Sequence, residues 1–132
     1  MKFAIFSLLL ILVEFSYGQN AILITLKNGK KIQVAENDLV QNMTFKTAQE
    51  TSKIIGENWR LPTLVELNEM YLNKNKIAGF TKDYYWSSSE YGEDQYDYGK
   101  IWIMSFSHGY QFGYDYANYG FHKLKIRLVR DY

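Results

Sequence analysis

The residues best suited to contact a ligand lie in the last third of the chain, where tyrosines are mixed with glycine, aspartate, asparagine and glutamine. They are Tyr91, Tyr96, Tyr98, Tyr110, Tyr114, Tyr116 and Tyr119. A tyrosine presents a large, stiff apolar ring and a hydroxyl group, so it gains contact area at low cost in conformational entropy. This composition is typical of a binding surface. Alternate tyrosines can equally cover a sheet, and sheet covering is the role that we expect for Phe106, Phe112 and Phe121.

We predict that ligand contacts centre on the segment between a strand expected at residues 110–114 and the final strand. Six residues carry this prediction: Tyr110, Tyr114, Asp115, Tyr116, Asn118 and Tyr119. A period of two places Tyr110, Tyr114 and Tyr116 on one face if the strand stays regular that far. Gly113 and Gly120 bracket the segment and allow it to bend.

Residues for catalysis are sparse. His108 and His122 are the two histidines, and the sequence contains no H-E-x-x-H, G-x-S-x-G, Walker or dinucleotide-binding motif. Four acids, Glu90, Glu93, Asp94 and Asp97, could converge on a glycoside or collect a calcium ion, although a solvated loop is the expected role. We therefore predict no catalytic residue, no obligatory metal and no cofactor.

The first 18 residues have the layout of a signal peptide. Lys2 precedes an apolar run of 11 residues at positions 3–13, and small residues stand at Ser16 and Gly18. The run is well short of the roughly 20 residues that a spanning helix needs. We expect export and cleavage before Gln19. The product would then be secreted, periplasmic or at the cell surface, with no membrane insertion after cleavage.

Composition limits the partners and the kind of fold that this protein can have. The formal net charge is +1, which does not indicate a nucleic-acid partner. Cysteine is absent, so burial and hydrogen bonding must hold an exported fold, and an aromatic content of 17% can supply the burial. The length after cleavage fits one domain.

Turn and cap signals predict the first elements. Apolar alternation on both sides of Lys27-Asn28-Gly29-Lys30 predicts a β-hairpin over residues 21–35 with a two-residue Asn-Gly turn. Thr44 is a good N-cap for a helix over residues 45–55, which Gly56 would end. Thr63 and Glu66 form a capping box after Pro62, which predicts a second helix over residues 64–72.

The rest of the chain has the pattern of strands, at residues 84–88, 101–106, 110–114 and 124–130. The run at 101–106 is apolar on both faces apart from Ser105, which predicts a central strand. The last strand alternates Leu124, Ile126 and Leu128 with Lys123, Lys125 and Arg127, so we expect one of its faces to be wet. The fold class is therefore α+β, with the helices first.

Three blocks follow one another in the order of a known family: W-R-L-P-T at 59–63 with Glu66-Leu67, Y-W-S-S-S-E at 85–90, and R-L-V-R at 127–130. Together they resemble the Lcl C-terminal domain-like family over residues 43–130. The resemblance implies a C-type-lectin-like fold, with two helices packed on a twisted antiparallel sheet and long loops. The expected organisation is a signal peptide at 1–18, an N-terminal hairpin and link at 19–42, and the lectin-like domain at 43–132.

We expect the motif residues to be structural. They are Trp59, Arg60, Pro62, Thr63, Glu66, Trp86, Ser87, Ser88, Arg127 and Arg130. Large aromatics are usually buried, and serine hydroxyls readily bond nearby backbone groups. A similar W-R-L-P-T block occurs in the formylglycine-generating enzymes, but their chemistry depends on cysteines that this chain lacks. The E-P-N, Q-P-D and W-N-D tripeptides of calcium-dependent lectins are absent too.

These observations predict an exported, non-enzymatic binding module that contacts a glycan or a cell-surface protein through its Tyr-rich loops. A structural surface or assembly protein without a small ligand is the alternative. A glycoside-active enzyme is a more distant one. Fold resemblance supports any of these by analogy alone.

Overall fold

The computed structural model describes residues 20–92 and 98–132. Within them the chain forms an α+β fold of six strands and four helices. The strands are β1 (Ile22–Thr25), β2 (Lys31–Val34), β3 (Tyr84–Glu90), β4 (Lys100–Ser105), β5 (Gln111–Asp115) and β6 (Val129–Asp131). The helices are α1 (Phe45–Ile55), α2 (Leu64–Leu72), α3 (Lys74–Ile77) and α4 (Tyr116–Tyr119). No helix of this part of the chain is long and apolar enough to cross a membrane.

The predicted hairpin is confirmed, and it belongs to a three-stranded antiparallel sheet of order β1-β2-β6. Its turn differs from the two-residue prediction. Leu26 N donates to Lys30 O at 2.8 Å and Gly29 N donates to Leu26 O at 2.9 Å, so the loop has three residues. Among the three loop residues, Gly29 alone has a positive φ, 87°, as expected for a three-residue hairpin loop that ends in a glycine bulge.

The second sheet has the order β3-β4-β5 and is also antiparallel. The apolar strand β4 lies in its centre, as predicted. The register between β3 and β4 shifts between Trp86 and Glu90, where β3 carries an irregularity. β5 pairs with β4 along one edge, and no described strand pairs with its other edge.

Both long helices have the predicted bounds. Thr44 Oγ1 accepts from Thr47 N at the start of α1, and Gly56 ends that helix with φ 75°. At α2 the complete capping box is present: Glu66 N donates to Thr63 Oγ1 at 3.2 Å, and Thr63 N donates to Glu66 Oε1 at 2.9 Å.

The core lies on both faces of the β3-β4-β5 sheet. Trp86 and Ile103 are paired and join Phe45 of α1 on one side. Tyr85 and Met104 are paired and join Leu67 of α2 on the other side. Buried residues of the hairpin belong to these clusters too. Ala35 is in the first, and Ile24, Ile32 and Val34 are in the second. The hairpin therefore shares a sheet and a core with the later residues.

The final segment differs most from its prediction. β6 covers Val129–Asp131 alone, while isolated bridges join Leu124 to Met43 and Lys125 to Tyr85. Residues 126–129 are all buried, so the expected wet face is wrong at Arg127, whereas Lys123 is exposed and Lys125 is half-buried. The reason is that other segments enclose the Arg127 side chain, which donates to Asp38 and to the carbonyl oxygens of Ala35, Glu36 and Ala78.

Candidate functional site

The first motif block is centred on Arg60, which forms a bidentate ion pair with Glu66 at 2.6 and 2.7 Å. Arg60 Nη2 also donates to Asp131 Oδ1 at 2.9 Å. Hydrogen bonding to Glu66 raises the Arg60 pKa despite partial burial. Burial works against ionised Glu66, but hydrogen bonds from Arg60 and the Thr63 backbone outweigh it and leave the Glu66 pKa lowered. These contacts tie the start of α2 to β6.

The last block contains a second ion pair, which is largely buried. Arg127 is completely buried, and its Nε donates to Asp38 Oδ1 at 2.6 Å. The Tyr85 hydroxyl donates to Asp38 Oδ2 at 2.6 Å. Burial, followed by this contact with the carboxylate, raises the pKa of Tyr85 to about 12. We call the residues Arg60, Glu66, Arg127, Asp38 and Tyr85 the ion-pair framework.

The other motif residues also bond to the protein itself. Trp86 Nε1 donates to Met43 O at 2.7 Å, Ser87 Oγ to Trp102 O at 2.6 Å, and Ser88 N to Pro62 O at 2.8 Å. The Arg130 guanidinium lies 4.4 Å from the ring centroid of buried Trp59, and its Nε donates to Gln33. Each contact joins two segments of the fold.

The tyrosine-rich segment is arranged differently. Tyr110 precedes β5, and Tyr114 lies in it on the same face as Phe112, because residues two apart on a strand point the same way. Phe112 contacts Tyr84 of β3 with ring centroids 5.8 Å apart. His108 stacks on Tyr110 with centroids 5.8 Å apart and planes 19° apart. Aromatic rings therefore line this side of the open edge of the sheet.

Tyr114 connects this row to the loop that follows. Its ring packs edge-on against Trp86 at 5.1 Å, and its hydroxyl bonds to the Tyr119 carbonyl oxygen and to His122 Nδ1. Desolvation raises the Tyr114 pKa, against the lowering effect of a hydrogen bond with the His122 backbone. Phe121 stacks at a tilt on His122 with centroids 4.4 Å apart.

Three more of the six predicted contact residues, in addition to Tyr110 and Tyr114, have partners within the protein. Asp115 caps α4: its carboxylate accepts from Asn118 N at 3.1 Å and Asn118 Nδ2 at 2.8 Å, and these bonds lower the Asp115 pKa. Tyr116 starts α4, so the strand does not stay regular, and its ring packs on Phe45 at 4.8 Å. Tyr116 is thus partly structural. Tyr110, Tyr114 and Tyr119 keep exposed surface.

The sequence prediction missed several exposed aromatics. Phe112 and Phe121 were expected to cover the sheet, and Phe106 does so, but the other two are exposed. The period of two that linked Tyr110 to Tyr114 also includes Phe112, so this signal was available. Exposed fractions are 44% for Tyr84, 64% for Tyr110, 43% for Phe112, 55% for Tyr119 and 68% for Phe121. We call these five residues and Tyr114 the aromatic face.

Gly113 has a packing role rather than the bending role predicted. A Cβ atom there would lie 2.5 Å from the Tyr91 ring, which crosses the opposite face of β5 and packs on Trp102 with centroids 4.6 Å apart. Tyr91 thus covers the sheet from behind. The two residues of the aromatic face that lie in β5, Phe112 and Tyr114, are on the other side of that strand.

The acidic loop lies mainly outside the described residues, since Glu93, Asp94 and Asp97, together with Tyr96, fall in the gap at 93–97. Glu90 is described and exposed at the end of β3. Among residues 20–92 and 98–132, no three His, Cys, Asp or Glu side chains form a group that could hold a metal ion.

Comparisons with known proteins give no relative to argue from: no family model matches the chain, and no curated protein matches it.

Proposed function

We propose that this protein is a non-enzymatic binding module that contacts a glycan or a protein through the aromatic face. The observation that carries the proposal is the set of exposed rings on the β3-β4-β5 sheet and in the segment after β5, the strand whose outer edge pairs with no described strand. Exposed apolar surface costs free energy in water, and a contiguous group of aromatic rings is a common feature of interaction sites. Each tyrosine adds a hydroxyl beside its ring, which suits a ligand with both apolar and polar surface.

The proposal includes a C-type-lectin-like fold and export. The three sequence blocks support the fold, as do two helices of 11 and 9 residues with an antiparallel sheet between them. The apolar start of the chain supports export to a secreted, periplasmic or cell-surface location. Intact mass of protein recovered from an expressing bacterium tests the export step. The mass of a chain that begins at Gln19 supports export, and the mass of a chain that retains Met1 contradicts it.

A glycan array on the purified protein tests the binding function. We expect a restricted set of glycans to bind, and binding to fall in the double variant Tyr110→Ala/Phe112→Ala. Tyr132→Ala is the matched control, because Tyr132 is 76% exposed but lies outside the aromatic face. An equal loss of glycan binding in the control and the double variant would mean that the binding site lies outside the aromatic face.

A structural or assembly role is the second candidate, and the open edge of β5 favours it. An unpaired strand edge can add a strand from another chain, and exposed rings beside it would be buried in the process. Light scattering over a concentration series distinguishes the two roles. A monomer that binds glycans supports the first. An oligomer that dissociates in the double variant, with no glycan bound, supports the second.

A further inference from the structure

An open pocket of about 370 Å³, with no residue of the aromatic face in its lining, lies where the loop between α3 and β3 meets the end of β4. This volume is within the range of small-molecule sites. Phe80 and Phe106 form an apolar wall with ring centroids 4.6 Å apart. Lys74, Lys82, Thr81 and Ser107 supply polar groups on the lining. The lining therefore combines an apolar wall with polar and cationic groups.

The charge on the lining has one sign. Lys74 and Lys82 both line the pocket, and neither forms an ion pair within residues 20–92 and 98–132. The Lys74 ammonium lies 4.3 Å from the centroid of the Tyr71 ring, which holds the side chain. None of the described lining residues is an acid, and exposed Asp83, next to Lys82 in the chain, is not part of the lining.

A third cation lies directly behind the wall. The Arg127 guanidinium carbon is 4.1 Å from the centroid of Phe80, and a Cβ atom at Gly79 would lie 3.1 Å from Arg127 Nη2. Arg127 is fully buried, and its Nη2 has no hydrogen-bond acceptor among the described residues. Asp38 is its one described carboxylate partner and is shared with Tyr85. The wall thus retains an unsatisfied donor on its inner side.

We propose that this pocket binds a small organic anion, in which an oxyanion such as a carboxylate or phosphate is carried on a flat apolar body. The body packs on Phe80 and Phe106, while the oxyanion accepts hydrogen bonds from the Lys74 and Lys82 ammonium groups. The Thr81 and Ser107 hydroxyls add neutral donors at the same end. This site does not rest on the function of the aromatic face, and the two can fail separately.

Backbone-amide NMR titration at constant ionic strength tests the site with three probes: phenylacetate, phenyl phosphate and neutral phenylacetamide. For ligands of this size we expect a dissociation constant of roughly 1 mM for an anionic probe. Saturable shifts should centre on Gly79, Phe80, Thr81 and Ser107. Whichever of the two anions binds more tightly identifies the preferred oxyanion. Equal shifts with phenylacetamide, or no saturable shift with either anion, would overturn the proposal.

The double variant Lys74→Gln/Lys82→Gln should bind the anions about tenfold more weakly, because two cations leave the site. Lys46→Gln/Lys53→Gln removes two exposed charges from α1 and should leave the affinity unchanged. If the first double variant melts early, Lys82→Gln alone replaces it, since exposed Lys82 has no hydrogen bond or ion pair within the described residues. An equal loss in the α1 variant would mean that net charge alone attracts the probes.

Discussion

The ion-pair framework and the aromatic face both reverse the usual placement of side chains between the core and the solvent. Charged residues normally stay in water, but Glu66 and Arg127 are buried, and their pairs with half-buried Arg60 and Asp38 join α2, β3 and the final segment. Tyrosine and phenylalanine, which normally supply the core, lie outside along β5. Buried charges are tolerated only when they are paired and hydrogen-bonded. The framework meets this condition within the fold, while the aromatic face has no equivalent partner in the described chain.

The two regions should therefore respond in opposite ways to truncation. Replacing a buried residue removes contacts on which the fold depends, so the free energy of unfolding falls. Replacing an exposed ring removes surface that the fold does not use. The variants below test this difference, in order of their expected effect on stability.

Trp86→Ala should cause the largest loss, about 5 kcal/mol, at the upper end for truncation of a buried aromatic. Trp86 is 1% exposed, contacts Phe45 and Tyr114, and donates to Met43 O. The loss approaches the whole stability of a small domain. Chemical denaturation measures it. Trp102→Ala is the control, since Trp102 is half-buried and should cost less; equal losses would mean that Trp86 is not central to the core.

Arg127→Met should cost about 3 to 4 kcal/mol, because it leaves the Asp38 carboxylate without its cation in a largely buried position. Much of this loss comes from the stranded charge rather than from the lost contact. The double variant Asp38→Asn/Arg127→Met removes both charges and should recover part of the stability in the same denaturation assay. A double variant less stable than Arg127→Met would show that the pair is not the source of the effect.

Local signals predicted much of this structure. Thr44, Gly56 and the Thr63–Glu66 capping box fixed the bounds of α1 and α2, because caps act over three or four residues. The apolar run of β4 indicated a central strand in the same local way. Burial of Trp59 and Trp86 was also predicted and is confirmed.

Long-range partners were not visible in the sequence. Arg127 alternates with apolar residues like a solvent-facing strand residue, and its partner Asp38 lies 89 positions earlier in the chain. Phe112 and Phe121 have the residue type of core positions, and nothing in the local sequence shows that the fold leaves them exposed. The turn at Leu26 to Lys30 also differs, because both two- and three-residue hairpin loops accept Asn-Gly.

Glu66→Gln should cost about 1 kcal/mol at neutral pH, since the ion pair with Arg60 is partly solvated. The Glu66 pKa is lowered in the folded protein, so its contribution is present above the unfolded value of about 4.3 and is lost as pH falls through the folded value. The wild type and the variant should therefore converge in acid. Asp131→Asn, at a more exposed position, should show a smaller difference; a gap that persists in acid would exclude Glu66 ionisation as its source.

Tyr110→Ala/Phe112→Ala should change the free energy of unfolding least, by less than about 0.5 kcal/mol per residue, which is typical of surface substitutions. Their rings contact each other, His108 and Tyr84, all of which are exposed, so truncation opens no cavity. Tyr116→Ala is the matched contrast, because its ring packs on Phe45 and its loss should lower stability measurably. Urea denaturation of the wild type, the double variant and Tyr116→Ala compares their free energies of unfolding. A double variant as unstable as Tyr116→Ala would make the aromatic face part of the core and remove the basis for assigning it to a ligand.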